Sequence, residues 1–196
     1  MRKFFLFLFF PLILIYYSCK NYTGDEEINS SEVVETSGDE NIPEVIRNLP
    51  VAIEVRHEPD TIYAKIHDVD SSKYKWSHYT SVKALNSNIQ IIEFGTYNYK
   101  NNEWVLGNLS SKPYKAKEFE KWYFKKTSDS FVSWENCKGA YLIKDQEYVD
   151  PSNWSISNTE LVERKGLWYY IGIDDSGKKV CGYGRYVTIP ELSDNK

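Results

Sequence analysis

The chain has 196 residues, with 24 Lys and Arg against 28 Asp and Glu, a net charge of −4, and 16% aromatic residues. The acidic excess is local: residues 1–18 carry +2 and residues 19–45 carry −7, which leaves about +1 for residues 46–196. A near-neutral body of that size supports one well-filled core, and it gives no footing to nucleic-acid binding driven by phosphate neutralisation.

The first element reads as an export signal. Arg2 and Lys3 precede an apolar run from Phe4 to Tyr17, which ends at Ser18-Cys19. A basic start, a short apolar stretch and a small residue before the cut describe such a signal, and the run falls short of the roughly 20 residues a membrane span needs. This arrangement resembles the signal peptide of bacterial lipoproteins, over the first twenty residues only. The resemblance implies that Cys19 is lipidated after cleavage and becomes the new N-terminus, so that the membrane is a partner through the lipid. Lys20 stands where an aspartate retains such proteins in the inner membrane of some bacteria, which implies attachment at the outer membrane of the cell envelope. An ordinary cleaved signal and an uncleaved anchor are the other readings of these residues.

Residues 19–45 form an acidic stretch. Asp25, Glu26, Glu27, Glu32, Glu35, Asp39, Glu40 and Glu44 face only Lys20, and no aromatic follows Tyr22. Such a segment cannot bury enough apolar surface to offset its ordering entropy, so a self-repelling tether is expected. Residues 46–196 then form one globular domain with all six Trp, a composition suited to packing on pleated sheets.

Alternation predicts strands over Val51–His57, Ile62–Ile66 and Asn88–Tyr99, the last interrupted at Gly95 by a bulge or a close backbone approach. Asn101-Asn102 predicts a turn into Trp104–Leu106. Lys115–Tyr123 is the one predicted helix, with Phe119, Trp122 and Tyr123 on a single face after Pro113. Leu167–Ile173 and Lys178–Ile189 flank Asp174-Asp175-Ser176-Gly177 as a hairpin. The expected fold is mainly β: a single antiparallel β-sandwich or partly open barrel with one short helix near 115–123.

The motifs exclude more than they support. GxSxG, HExxH and CxxC are absent, and Asp68-Val69-Asp70 opens like a calcium loop but lacks its glycine and its closing glutamate. Ser72-Lys73-Tyr74-Lys75 matches SxxK without the motifs that accompany it. His57, His67 and Asp68 could together ligate Zn or Cu, an alternative that makes the protein a metal-binding envelope protein or a hydrolase centred on the His57–His78 segment. Cys137 and Cys181 form either a disulfide or two buried thiols. Exposed rings could stack on a sugar or clasp a peptide, and Trp122, Trp154 and Tyr170 are the candidates, with Trp154 in a loop-like stretch. The leading expectation is a non-enzymatic binding or interaction module for a protein or glycan ligand, without a cofactor. A structural subunit of an envelope assembly is the third reading.

Overall fold

A computed structural model describes residues 42–129, 131–157 and 160–193. The signal-like segment, Cys19 and the acidic stretch up to residue 41 lie outside the described residues. In chain order the elements are α1 (Glu44–Arg47), β1 (Ile53–Glu58), β2 (Thr61–Ile66), β3 (Tyr74–Ala84), β4 (Ile89–Lys100) and β5 (Glu103–Leu106). There follow β6 (Tyr114–Lys115), α2 (Ala116–Trp122), β7 (Phe124–Ser128) and β8 (Phe131–Asn136). A 3-10 turn over Lys138–Ala140 leads to β9 (Tyr141–Leu142), β10 (Glu147–Ser157), β11 (Arg164–Asp174) and β12 (Lys179–Leu192).

These strands form one sheet in the order β5-β4-β11-β12-β2-β3-β10-β7-β8, with β1 also on β3, and β6 and β9 also on β4. The ends of that path do not meet, so the sheet is open, mainly β as expected. Pairing is antiparallel except between β12 and β2, which run parallel. The molecule thus has two sheet halves, β5-β4-β11-β12 and β3-β10-β7-β8, linked through β2.

Both halves turn their inner faces to one core. On β3, Trp76, His78, Thr80, Val82 and Ala84 point inward while Ser77 and Tyr79 are exposed, the period-2 signature of a half-buried strand. Phe94 of β4 stacks on Tyr170 of β11 at 5.8 Å, and Phe119 of α2 stacks on Tyr123 at 4.1 Å. The predicted helix is therefore real, and it closes the core with Phe119 and Tyr123, while Trp122 is half-buried. Its first turn is capped by the Glu118 carboxylate, which accepts from the Lys115 N–H at 3.0 Å.

A second apolar cluster covers the outer face of β11 and β12. Ile46 of α1 packs there with Leu167, Tyr169, Ile171 and Cys181, and Ile42 and Leu49 border it. Helical structure is thus present within the stretch assigned to the tether, from Glu44 onward, where Ile42 and Ile46 supply apolar contacts. Gly182 and Gly184 let β1 cross β12 closely: a Cβ on Gly182 would lie 2.2 Å from the Ile53 carbonyl oxygen.

Turn chemistry follows the sequence. Asn101 and Asn102 both take positive φ, 52° and 65°, as a two-residue type I′ hairpin requires. In the β11–β12 hairpin one Asp174 oxygen accepts from Ser176 N, Ser176 Oγ and Lys178 N, at 2.9, 2.6 and 2.8 Å. Gly95 is a close approach: Asn108 Oδ1 accepts from Thr96 N at 2.8 Å, and a Cβ on Gly95 would lie 2.9 Å from that oxygen. The register shift of β4 falls instead beside Ile92.

The stretch around Trp154 is not a loop. It belongs to β10, which pairs with β3 along its length and takes up Pro151 in a bulge between Asp150 and Asn153. Among the described residues no helix is long and apolar enough to cross a membrane.

Candidate functional site

The register of β1, β3, β10, β7 and β8 determines which side chains reach the outer face of this sheet half. Glu58 pairs with Tyr79, Trp154 with Ser77, Val149 with Ser81 and Phe124, and Val132 with Lys126. Since side chains alternate, Tyr79, Trp154 and Trp134 all emerge on that face, 54%, 45% and 84% exposed. Phe124 meets Trp134 edge to face at 5.8 Å.

A groove of about 230 Å³ runs across this surface between Tyr79 on one side and Val132 on the other, with Ser81, Val149, Pro151, Lys126, Glu58 and Asp129 completing its walls. The Lys126 ammonium donates to Glu147 at 3.2 Å and is mostly covered. Lys83 and Glu54 make a further pair at 2.7 Å along the same surface. Apolar rings beside fixed charges form the mixed surface on which an extended polar ligand is held by stacking and hydrogen bonds.

The candidate residues distribute unevenly over this picture. Trp154 lies exposed on the face. Trp122 sits elsewhere, its ring edge to face with Tyr114 at 4.8 Å and with Phe94 at 5.6 Å. Tyr170 is not a ligand contact, being fully buried. Its hydroxyl shares a hydrogen bond with that of Tyr123 at 2.5 Å, and burial pushes both phenols well above their ordinary range. Tyr79 and Trp134 were missed; the phase of β3 would have flagged Tyr79, once Trp76 and Val82 were read as inward.

The three residues of the metal alternative, His57, His67 and Asp68, do not come together. His57 is inside the core on β1, whereas His67 follows β2 with its Nδ1 accepting from the N–H groups of Val69 and Asp70 at 3.2 Å. Asp68 is exposed, and among the described residues no three His, Cys, Asp or Glu side chains converge on a metal position. Both nitrogens of His57 are engaged: Nε2 meets the Gly184 carbonyl and Nδ1 the Thr80 hydroxyl, each at 3.1 Å. A carbonyl can only accept, so Nε2 carries the proton and Nδ1 accepts from Thr80, whose oxygen accepts from Asn153 Nδ2 at 2.9 Å. Burial lowers the His57 pKa to about 4 and, with His57 adding to it, the His78 pKa to about 3. Tyr186 stacks on His78 at 5.1 Å. Asp150, buried beside this network on β10, is raised to about 6 by desolvation. The network lies enclosed between the two sheet halves, with both His78 nitrogens buried and without a hydrogen-bond partner among the described residues.

Cys137 and Cys181 are free thiols, both buried. Cys137 belongs to the central core, where its Sγ–H donates to the Tyr141 carbonyl at 3.3 Å and burial pushes its pKa up to about 12. Cys181 faces the other way, into the cluster under α1. The disulfide alternative is thus replaced by two separate packed thiols. No family model matches the chain, and no curated protein matches it.

Proposed function

We propose that the protein is a cell-envelope lipoprotein, anchored through lipidated Cys19 at the outer membrane, which binds a protein or glycan ligand without catalysis. One observation supports the binding reading above all: Tyr79 walls a charged groove of about 230 Å³, and Trp134 and Trp154 stand exposed on the same sheet face. Large rings left in water on a single face supply stacking area at little entropic cost. Lys126, Glu58 and Asp129 at the groove supply the polar contacts that would set orientation. The anchor rests on the sequence around Cys19.

Two experiments test the two halves. Intact mass of the chain expressed in a bacterial host should include a diacylglyceryl group that disappears in Cys19→Ser; an unmodified product would remove the anchor. For binding, the mature chain is applied to arrays of envelope oligosaccharides and of peptides. Tyr79→Ala and Trp154→Ala should each weaken a positive interaction by about 2 kcal/mol, roughly thirtyfold. A ligand whose affinity ignores both substitutions would move the site off this face.

A further inference from the structure

The outer face of the other sheet half carries a smaller depression of about 150 Å³, lined by Tyr99, Trp104, Lys165, Gly166, Arg185 and Val187 together with Tyr186. We propose that it is a second ligand site, for a single sugar unit bearing a carboxylate or phosphate. This inference does not rest on the groove beside Tyr79, which lies on a different face.

The charge at this depression is one-sided. Lys165 pairs in register with Val187 and Leu167 with Arg185, so the two cations are diagonal neighbours on the same face. Like charges so placed repel, and among the described residues neither makes an ion pair. Arg56, Lys73, Lys83, Lys115, Lys125 and Lys126 have carboxylate partners, whereas Lys165 and Arg185 belong to the cations that have none among the described residues, and they differ from the rest in facing each other across a depression. An anion between Lys165 and Arg185 would relieve the repulsion, and the guanidinium fork can hold a carboxylate or phosphate through two parallel hydrogen bonds.

The aromatic wall identifies the rest of the ligand. Tyr99 and Trp104 are cross-strand partners with ring centroids 5.1 Å apart and planes at 57°. Rings placed in this way offer faces to the C–H groups of a sugar. The Trp104 indole N–H has no acceptor among the described residues. That N–H is itself buried, so the donors the depression offers are the Lys165 ammonium and the Arg185 guanidinium, which suit a ligand rich in oxygen. The volume is well under the roughly 300 Å³ at which drug-sized pockets begin, so one sugar ring fills it.

The test is titration of the mature chain by tryptophan fluorescence and by amide chemical shifts. The probes are glucuronate, glucose 6-phosphate, glucose, benzoate and inorganic phosphate. Saturable binding of glucuronate or glucose 6-phosphate in the millimolar range is expected, at least about tenfold tighter than glucose, inorganic phosphate or benzoate. Which of the two binds tighter distinguishes a carboxylate source from a phosphate source. Lys165→Gln with Arg185→Gln should reduce that affinity about tenfold or more without lowering Tm, both side chains being exposed and their mutual repulsion removed. Tyr99→Leu should reduce it with the cations intact. The proposal is overturned if neither acidic sugar binds, if benzoate or phosphate alone binds as tightly, or if the double variant binds as the wild type does.

Discussion

His57 is one of the three residues of the metal alternative and His78 ends the same segment, and their surroundings give the two imidazoles a different consequence. In the unfolded chain each imidazole takes a proton below about pH 6.5, whereas the folded chain resists until about 4 at His57 and about 3 at His78. Their contribution to stability is therefore complete above pH 6.5 and is lost as pH falls toward 4. Asp150 acts in the opposite sense, because its folded pKa of about 6 lies above the unfolded value, so that folding takes up a proton there as pH falls. Between pH 6 and 5 the two imidazoles outweigh the one carboxyl by about one proton, so stability should fall by ~1.4 kcal/mol per pH unit. Urea unfolding at several pH values measures this slope. Asp150→Asn should roughly double it, and His78→Phe should flatten it. The Tyr123–Tyr170 hydroxyl pair gives a second test. Either Tyr→Phe change leaves a buried hydroxyl unpaired at a cost of about 1–3 kcal/mol, while the double change should cost less than the sum. Neither should alter binding at the Tyr79 face.

At the scale of elements, two contacts hold the architecture together in ways local sequence does not announce. The crossing of β1 over β12 depends on Gly182, where a Cβ would meet backbone and not a movable side chain. Gly182→Ala should therefore cost about 3 kcal/mol or more, read as a drop in the urea midpoint. The four-residue α1 has too little length to be stable alone, and Ile46 holds it on the sheet. Ile46→Ala should cost about 2–4 kcal/mol and should uncover Cys181, whose Sγ lies 3.5 Å from the Leu49 carbonyl oxygen. Mass mapping after maleimide treatment should then find Cys181 labelled well before Cys137. Equal protection of both thiols would mean that α1 does not shield Cys181.

For the whole molecule, the open sheet and its single central core account for stability without a covalent tie. Thiol titration should find Cys137 and Cys181 unreactive in the native protein and both reactive in denaturant, with or without prior reduction. A bridged pair would react only after reduction. The charge distribution has a consequence at the same scale. With the excess of acid confined to residues 19–45, salt should change the body's stability little, because its ion pairs are mostly at the surface and roughly balanced.

Local chemistry was sufficient for the β class, the helix near Phe119, the Asn101-Asn102 turn and the Asp174–Gly177 hairpin. Each depends on near neighbours: period-2 alternation, one apolar helix face, or side chains that bond their own backbone. The same information placed Trp154 in a loop, because a proline in a strand is legible only once its partner strand shows the bulge that admits it. It also left open which rings face water. Tyr79, Trp134 and Trp154 against Tyr170 is a question of strand phase and pairing, which long-range register decides. The fate of the cysteines and histidines was settled in the same way. Cys137 and Cys181 pack in different clusters, and His57 engages Thr80 and Gly184, a residue 127 positions away, instead of His67. Composition gave these side chains their chemical capacity, and only the tertiary structure chose their neighbours, because burial and pairing join residues far apart in the chain.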